Sequence, residues 1–141
     1  MLPFAFLLLA AAPAHHAALP AHRAIVSTPS GVRIQTLRPG AGRSPGPDDA
    51  VLINYVGRLA ANGKVFDKAD RAGMMVSGTV PGFAEALQHM SKGGTYRVWI
   101  PPQLAYGAQG AGDGAIPPNA TLDFTITLLD IGKAAPSVQA P

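Results

Sequence analysis

Four stretches of the chain alternate apolar and polar side chains with a period of two, and only one carries the period of a helix. That pattern restricts the fold to a sheet with a single helix against it. The clearest internal strand is Ala50–Ala60, with Val51, Ile53, Tyr55 and Leu59 on one face and Asn54 and Arg58 on the other. Thr95–Ile100 sets Tyr96, Val98 and Ile100 against Arg97 and Trp99, and Thr121–Leu128 sets Leu122, Phe124, Ile126 and Leu128 against Asp123, Thr125 and Thr127. Gly31–Leu37 alternates Val32, Ile34 and Thr36 with Arg33, Gln35 and Leu37. Asn62-Gly63 marks a hairpin turn, because both residues tolerate positive φ. Val65–Asp67 then begins a return strand, and Met74–Val76 is a further short apolar piece. The period changes over Val80–Met90, where Phe83, Ala86, Leu87 and Met90 fall at helical spacing and Glu85, Gln88 and His89 face away. Pro81 suits the first helical position, whose N–H has no intrahelical partner, and Gly93-Gly94 ends the element. Two loops rich in Gly and Pro, residues 38–49 and 107–118, separate these pieces. The sum is an α+β domain: a mainly antiparallel sheet with one short amphipathic helix on its apolar face.

The ends carry different signals. Phe4, Phe6 and Leu7–Leu9 form an apolar run followed by the small-residue site Ala12–Ala14, which predicts a signal peptide over residues 1–14. Cleavage after Ala14 is the first choice, with Ala17 or Ala18 behind it; against a signal stands the absence of Lys or Arg before the run. A membrane anchor is the alternative, but it needs about 20 apolar residues, and Pro13, His15, His16 and Pro20 interrupt the stretch. Residues 15–30 read as a flexible linker, 31–133 as the domain and 134–141 as a disordered tail. The expected location is outside the cytoplasm, in the periplasm. With no cysteine, the chain cannot carry a lipoprotein anchor, a disulfide or a thiol nucleophile.

Several chemistries fail on the residues themselves. Gly107, Gly110, Gly112 and Gly114 suggest a phosphate loop, but no Gly-Lys-Ser/Thr follows and Pro117-Pro118 forbids the helix that would hold the phosphate. His15, His16 and His22 have no carboxylate among them, and His89 lacks a partner at ligand spacing, so no metal or other cofactor is expected. The serines sit in turns without nucleophile-elbow context. The net charge of +3 is spread over isolated Arg and Lys rather than a stripe interleaved with aromatics, which argues against nucleic-acid binding.

The remaining feature is a set of aromatics in ordered local contexts. Asn54-Tyr55-Val56-Gly57-Arg58-Leu59, Gly63-Lys64-Val65-Phe66-Asp67, Val80-Pro81-Gly82-Phe83, Ala105-Tyr106-Gly107 and Ile116-Pro117-Pro118-Asn119-Ala120-Thr121-Leu122 occur in that order. Together they resemble the FKBP-type peptidyl-prolyl cis/trans isomerases, most closely the small exported bacterial members, from about Gly31 to Gly132. The resemblance implies an antiparallel β-sheet half-barrel wrapped around the one helix, with a prolyl pocket between them. It implies catalytic roles for Tyr55, Phe66, Asp67, Tyr106 and Phe124, and substrate-binding roles for Val80, Phe83 and Ile116. Phe83 matches the aromatic floor beneath the proline ring; the Val80 N–H and the Tyr106 hydroxyl match the donors to substrate carbonyls. The implied partners are proline-containing unfolded polypeptides, with rapamycin-like macrolides as inhibitors, and the implied state is a monomer.

This sequence departs from the family pattern in places. Ala72 and Ala115 stand where relatives carry larger wall residues, the loop at Ala111–Gly114 is one residue longer, and Lys68–Ser77 is shortened, which loosens the match of Arg71 as a partner for Asp67. Trp99 falls on the outer face of its strand. Two other readings compete: a chaperone or binding module for proline-bearing segments with weak catalysis, and a small carrier of apolar ligands. The polar positions Asp67 and Tyr106 suit amide carbonyls better than a lipid.

Overall fold

The computed structural model describes residues 24–133. The expected signal, the first part of the expected linker and the expected tail lie outside these residues. Six strands, β1 (Ile25–Ser27), β2 (Arg33–Arg38), β3 (Asp49–Leu59), β4 (Val65–Met75), β5 (Thr95–Ile100) and β6 (Leu122–Lys133), form one open antiparallel sheet in the order β1-β2-β5-β6-β3-β4. The one α-helix among the described residues is α1 (Pro81–Leu87).

The centre of the sheet follows from alternation. Every second residue of β5, and of β6 as far as Leu128, is fully or almost fully buried: Tyr96, Val98 and Ile100 against Leu122, Phe124, Ile126 and Leu128. From β3 come Val51, Ile53 and Leu59, and from the helical segment Phe83, Ala86, Leu87 and Met90, to make one continuous core. Asp123, on the opposite face, is buried too; Arg97 grips it in a two-pronged ion pair at 3.0 and 2.7 Å. Trp99 does lie on that outer face, stacked by the guanidinium groups of Arg33 and Arg97 at 5.0 and 4.8 Å. The hairpin forms at Asn62-Gly63: Gly63 takes φ +76°, its N–H reaches Leu59 O at 2.7 Å, and Asn62 Oδ1 accepts the Lys64 N–H.

Three expectations need correction. Residues 25–27, read as flexible linker, form edge strand β1, paired with β2 from Ile25↔Gln35 to Ser27↔Arg33. Backbone pairing and hydroxyls hold this segment, not apolar burial: Thr28 Oγ1 accepts the Val32 N–H, and Ser30 donates to Glu85 on α1. The pieces Val65–Asp67 and Met74–Val76, read as separate, belong to a single eleven-residue strand that closes at Met75, with Val76 opening the short 3-10 turn that follows. The helix is shorter than its period suggests; after Leu87 the chain turns through i→i+3 bonds, and Met90 still reaches the core.

Candidate active site

Strand β3 places Tyr55 on the concave face, and its neighbour β6 places Phe124 there. Helix α1 starts at Pro81 because Val80 stays extended (φ −61°, ψ 152°), and one turn later it turns Phe83 inward. These three rings meet: Phe83 and Phe124 pack edge-to-face with centroids 4.8 Å apart, and Tyr55 lies 6.3 and 6.2 Å from them. Phe66 of β4 adds a second edge-on contact to Phe124 at 5.6 Å. Gly57 makes this closeness possible, since a Cβ there would come within 2.7 Å of the Phe124 ring and 2.8 Å of the Phe66 ring.

Above the rings opens a cleft of about 190 Å³ lined by Tyr55, Asp67, Met74, Gly78, Thr79, Val80, Phe83, Tyr106 and Phe124. Its floor is apolar, since Phe83 and Phe124 are almost completely buried. The rim is polar. Tyr55 Oη donates to Asp67 Oδ2 at 2.8 Å. Burial first, then this bond and the negative charge of Asp67, push the Tyr55 phenol up to about 12, so it is a neutral donor throughout the physiological range. Two further donors have no acceptor among the described residues: the Val80 N–H, ahead of the first helical turn, and the hydroxyl of the half-exposed Tyr106. Such donors are free to meet the carbonyls of a bound peptide. Among the described residues no three His, Asp or Glu cluster at metal-binding distance.

Six of the eight residues singled out in the sequence therefore line one cleft: Tyr55, Asp67, Val80, Phe83, Tyr106 and Phe124. Phe66 stands behind Phe124 as backing. Ile116 is not among the cleft-lining residues; it is buried in the core and bonded back to Ala111 by a pair of backbone hydrogen bonds. Arg71 is not bonded to Asp67; Tyr55 takes that place, and the Arg71 N–H bonds Asn54 instead. Sequence reasoning missed Met74, Gly78 and Thr79. The last two line the cleft on the approach to Val80, where no side-chain pattern marks them, and Met74 reaches it only through an irregularity of β4.

Known proteins with this architecture decide the family. Residues 41–129 match the family model described as FKBP-type peptidyl-prolyl cis-trans isomerase. The chain belongs to the FKBP-type peptidyl-prolyl cis-trans isomerases. It is 44% identical over 115 residues to the outer membrane protein MIP of Legionella longbeachae, covering 79% of this chain and 48% of that one. It is 39% identical over 122 residues to the FKBP-type isomerase FkpA of Escherichia coli K12, covering 84% and 44%. The chain thus spans about half the length of these curated relatives. Among solved structures, a peptidyl-prolyl cis-trans isomerase from Pseudomonas syringae pv. tomato superposes with a TM-score of 0.74 at 35% identity, covering 85% of this chain and 87% of that one. The FKBP-type fold accounts for the open six-stranded sheet and for the position of its helix.

Proposed function

We propose that this chain accelerates cis/trans rotation about Xaa-Pro bonds in unfolded or folding polypeptides, and that it does so by desolvation in the aromatic cleft. The observation that carries this reading is the pairing of a dry floor, Phe83 and Phe124, with two unoccupied donors at the rim, the Val80 N–H and the Tyr106 hydroxyl. Rotation is opposed by about 18–20 kcal/mol because amide resonance must be lost. The planar amide is polar and well solvated, whereas the twisted transition state is less so. A water-free aromatic surface therefore favours the twisted form, and only such differential binding raises the rate. A gain on the order of 10⁵-fold requires roughly 7 kcal/mol, which desolvation and one or two oriented hydrogen bonds can supply.

In this mechanism Phe83 carries the proline ring, with Phe124 as the adjoining wall and Phe66 backing it. Val80 and Tyr106 hold the flanking carbonyls, and Tyr55 with Asp67 fixes the polar side of the cleft. Ile116 contributes by supporting the loop from Ala111 rather than by contact. No metal, cofactor or covalent step enters. The likeness to a protein named for the outer membrane supports action outside the cytoplasm, with residues 1–14 removed on export and the chain acting as a monomer. Rapamycin-like macrolides occupy the same cleft, more weakly where Ala72 and Ala115 leave the walls open; cyclosporin-type ligands do not.

The test is exchange-detected isomerisation of an Ala-Phe-Pro peptide with and without protein. Acceleration that survives a chelator and is blocked by a rapamycin-like ligand is the expected result. An unchanged exchange rate with folded protein would refute the reading.

A further inference from the structure

Strand β4 is built with two irregularities, and both bear on the cleft. Its pairing with β3 runs in step from Ala50↔Met75 to Ile53↔Ala72, then resumes at Tyr55↔Ala69, so Asp70 and Arg71 together oppose Asn54. A second shift lies between Gly57↔Asp67 and Arg58↔Val65, with Phe66 as the extra residue. Each is a β-bulge that inserts one residue and changes which face the following side chains take. The consequence is a matter of parity. Asp67 and Met74 are seven apart and in an unbroken strand would point to opposite faces, yet both line the cleft. Phe66 and Asp67 are adjacent, yet one packs on Phe124 and the other bonds Tyr55, two residues of the same concave face.

The first bulge carries a cost. Arg71 sits at φ +52°, a left-handed conformation that a side-chain-bearing residue rarely takes. Its N–H, displaced from the ladder, is accepted by the side-chain Oδ1 of Asn54 at 2.8 Å. Asn54 itself does not line the cleft; it alternates away from Ile53 and Tyr55.

We propose that Asn54 is a positioning residue for the isomerase site: its amide oxygen clamps the bulge at Asp70-Arg71, and the clamped bulge is what turns Met74 and Asp67 to the same cleft. The inference rests on the reading of the cleft as the isomerisation site, but its structural half can be measured without catalysis. Asn54→Ala removes the clamp. Asn54→Asp keeps an acceptor at the same place. Asn54→Ala/Arg71→Gly removes the clamp but gives position 71 a residue that enters the left-handed region freely.

Cross-strand backbone NOEs between Val51 and Met74 report the register, and peptide exchange reports kcat/KM per folded molecule. Asn54→Ala is expected to weaken or lose the Val51–Met74 contact and to lower kcat/KM by about fivefold, the size of one net hydrogen bond. Asn54→Asp and the double variant are expected to keep both near wild type. A role in stability alone would lower the denaturation midpoint of Asn54→Ala without moving the NOEs or the activity of the folded fraction. That outcome, or a double variant that folds but does not recover, overturns the inference. If the wild type itself fails to accelerate exchange, the isomerase reading falls, while the NOEs still decide whether Asn54 sets the register.

Discussion

The two hairpin-like halves of the sheet are built to different standards. Strands β5 and β6 pair without interruption from Thr95↔Thr127 to Ile100↔Leu122, with alternate side chains fully buried and the outer face tied by the Arg97–Asp123 pair. Strands β3 and β4 pair with two register shifts, and β4 is mostly exposed along its length. The regular half has almost nothing at the cleft except Phe124, whereas the irregular half supplies Tyr55, Asp67 and Met74, and its Phe66 backs Phe124. The difference teaches a division of labour. Regular alternation sends one set of side chains into the core and stabilises; departure from it crowds consecutive side chains onto one face and makes a site.

Changes that break this division should separate stability from activity. Ile126 is fully buried in β6, opposite both Tyr96 and Tyr55. Ile126→Ala should cost about 2–5 kcal/mol of unfolding free energy in urea titration, by lost transfer energy and a residual cavity. The activity of the fraction that remains folded should change far less. Phe66→Ala tests the converse. Its ring is only half-buried, so the loss of stability should be the smaller of the two, but the backing of Phe124 goes with it. A fall in kcat/KM of roughly tenfold, or about 1.4 kcal/mol, is expected, with circular dichroism confirming the fold first.

A gentler probe of the regular half is Arg97→Leu, which leaves the Asp123 carboxylate buried without its partner. Because the guanidinium is itself half-exposed, the loss should be only about 1–2 kcal/mol. Thermal melts should show it, and peptide exchange should not.

The smallest effect concerns Tyr55. A phenol raised to about 12 in the folded state, against 10 unfolded, contributes stability that is fully present below pH 10 and is lost as pH rises toward 12. Unfolding measured across that alkaline window should show this slope in the wild type and a shallower one in Tyr55→Phe. A slope of equal size in both would mean that the Tyr55 phenol is not raised on folding, neither by burial nor by its bond to Asp67.

The same contrast explains what could be read from the residues alone. Strands β5 and β6, the hairpin at Asn62-Gly63 and the inward face of α1 were all legible, because unbroken periodicity is a direct record of which face is buried. Strand β4 was legible only at its two ends. Its bulges shift the period twice within eleven residues, so the pattern looks like two fragments around a gap. Strand β1 left no alternation to read, since its apolar residues Ile25 and Val26 are adjacent and both exposed, and backbone pairing holds it. At the site, the aromatic positions could be recognised from their ordered contexts. Met74 could not, because its facing depends on a bulge, and Gly78 and Thr79 line the cleft from a segment with no alternation to mark it.

The central claim is that the cleft works by excluding water and orienting carbonyls, not by transferring protons. The direct test measures Ala-Phe-Pro exchange with wild type, Tyr106→Phe and Asp67→Asn across about pH 6 to 8. A general acid or base typically contributes 10²–10⁴-fold and imprints its ionisation on the profile. The desolvation account predicts a nearly flat profile for all three proteins and a loss well under about 10²-fold for Tyr106→Phe. A steep pH dependence in the wild type that disappears in either variant would contradict it.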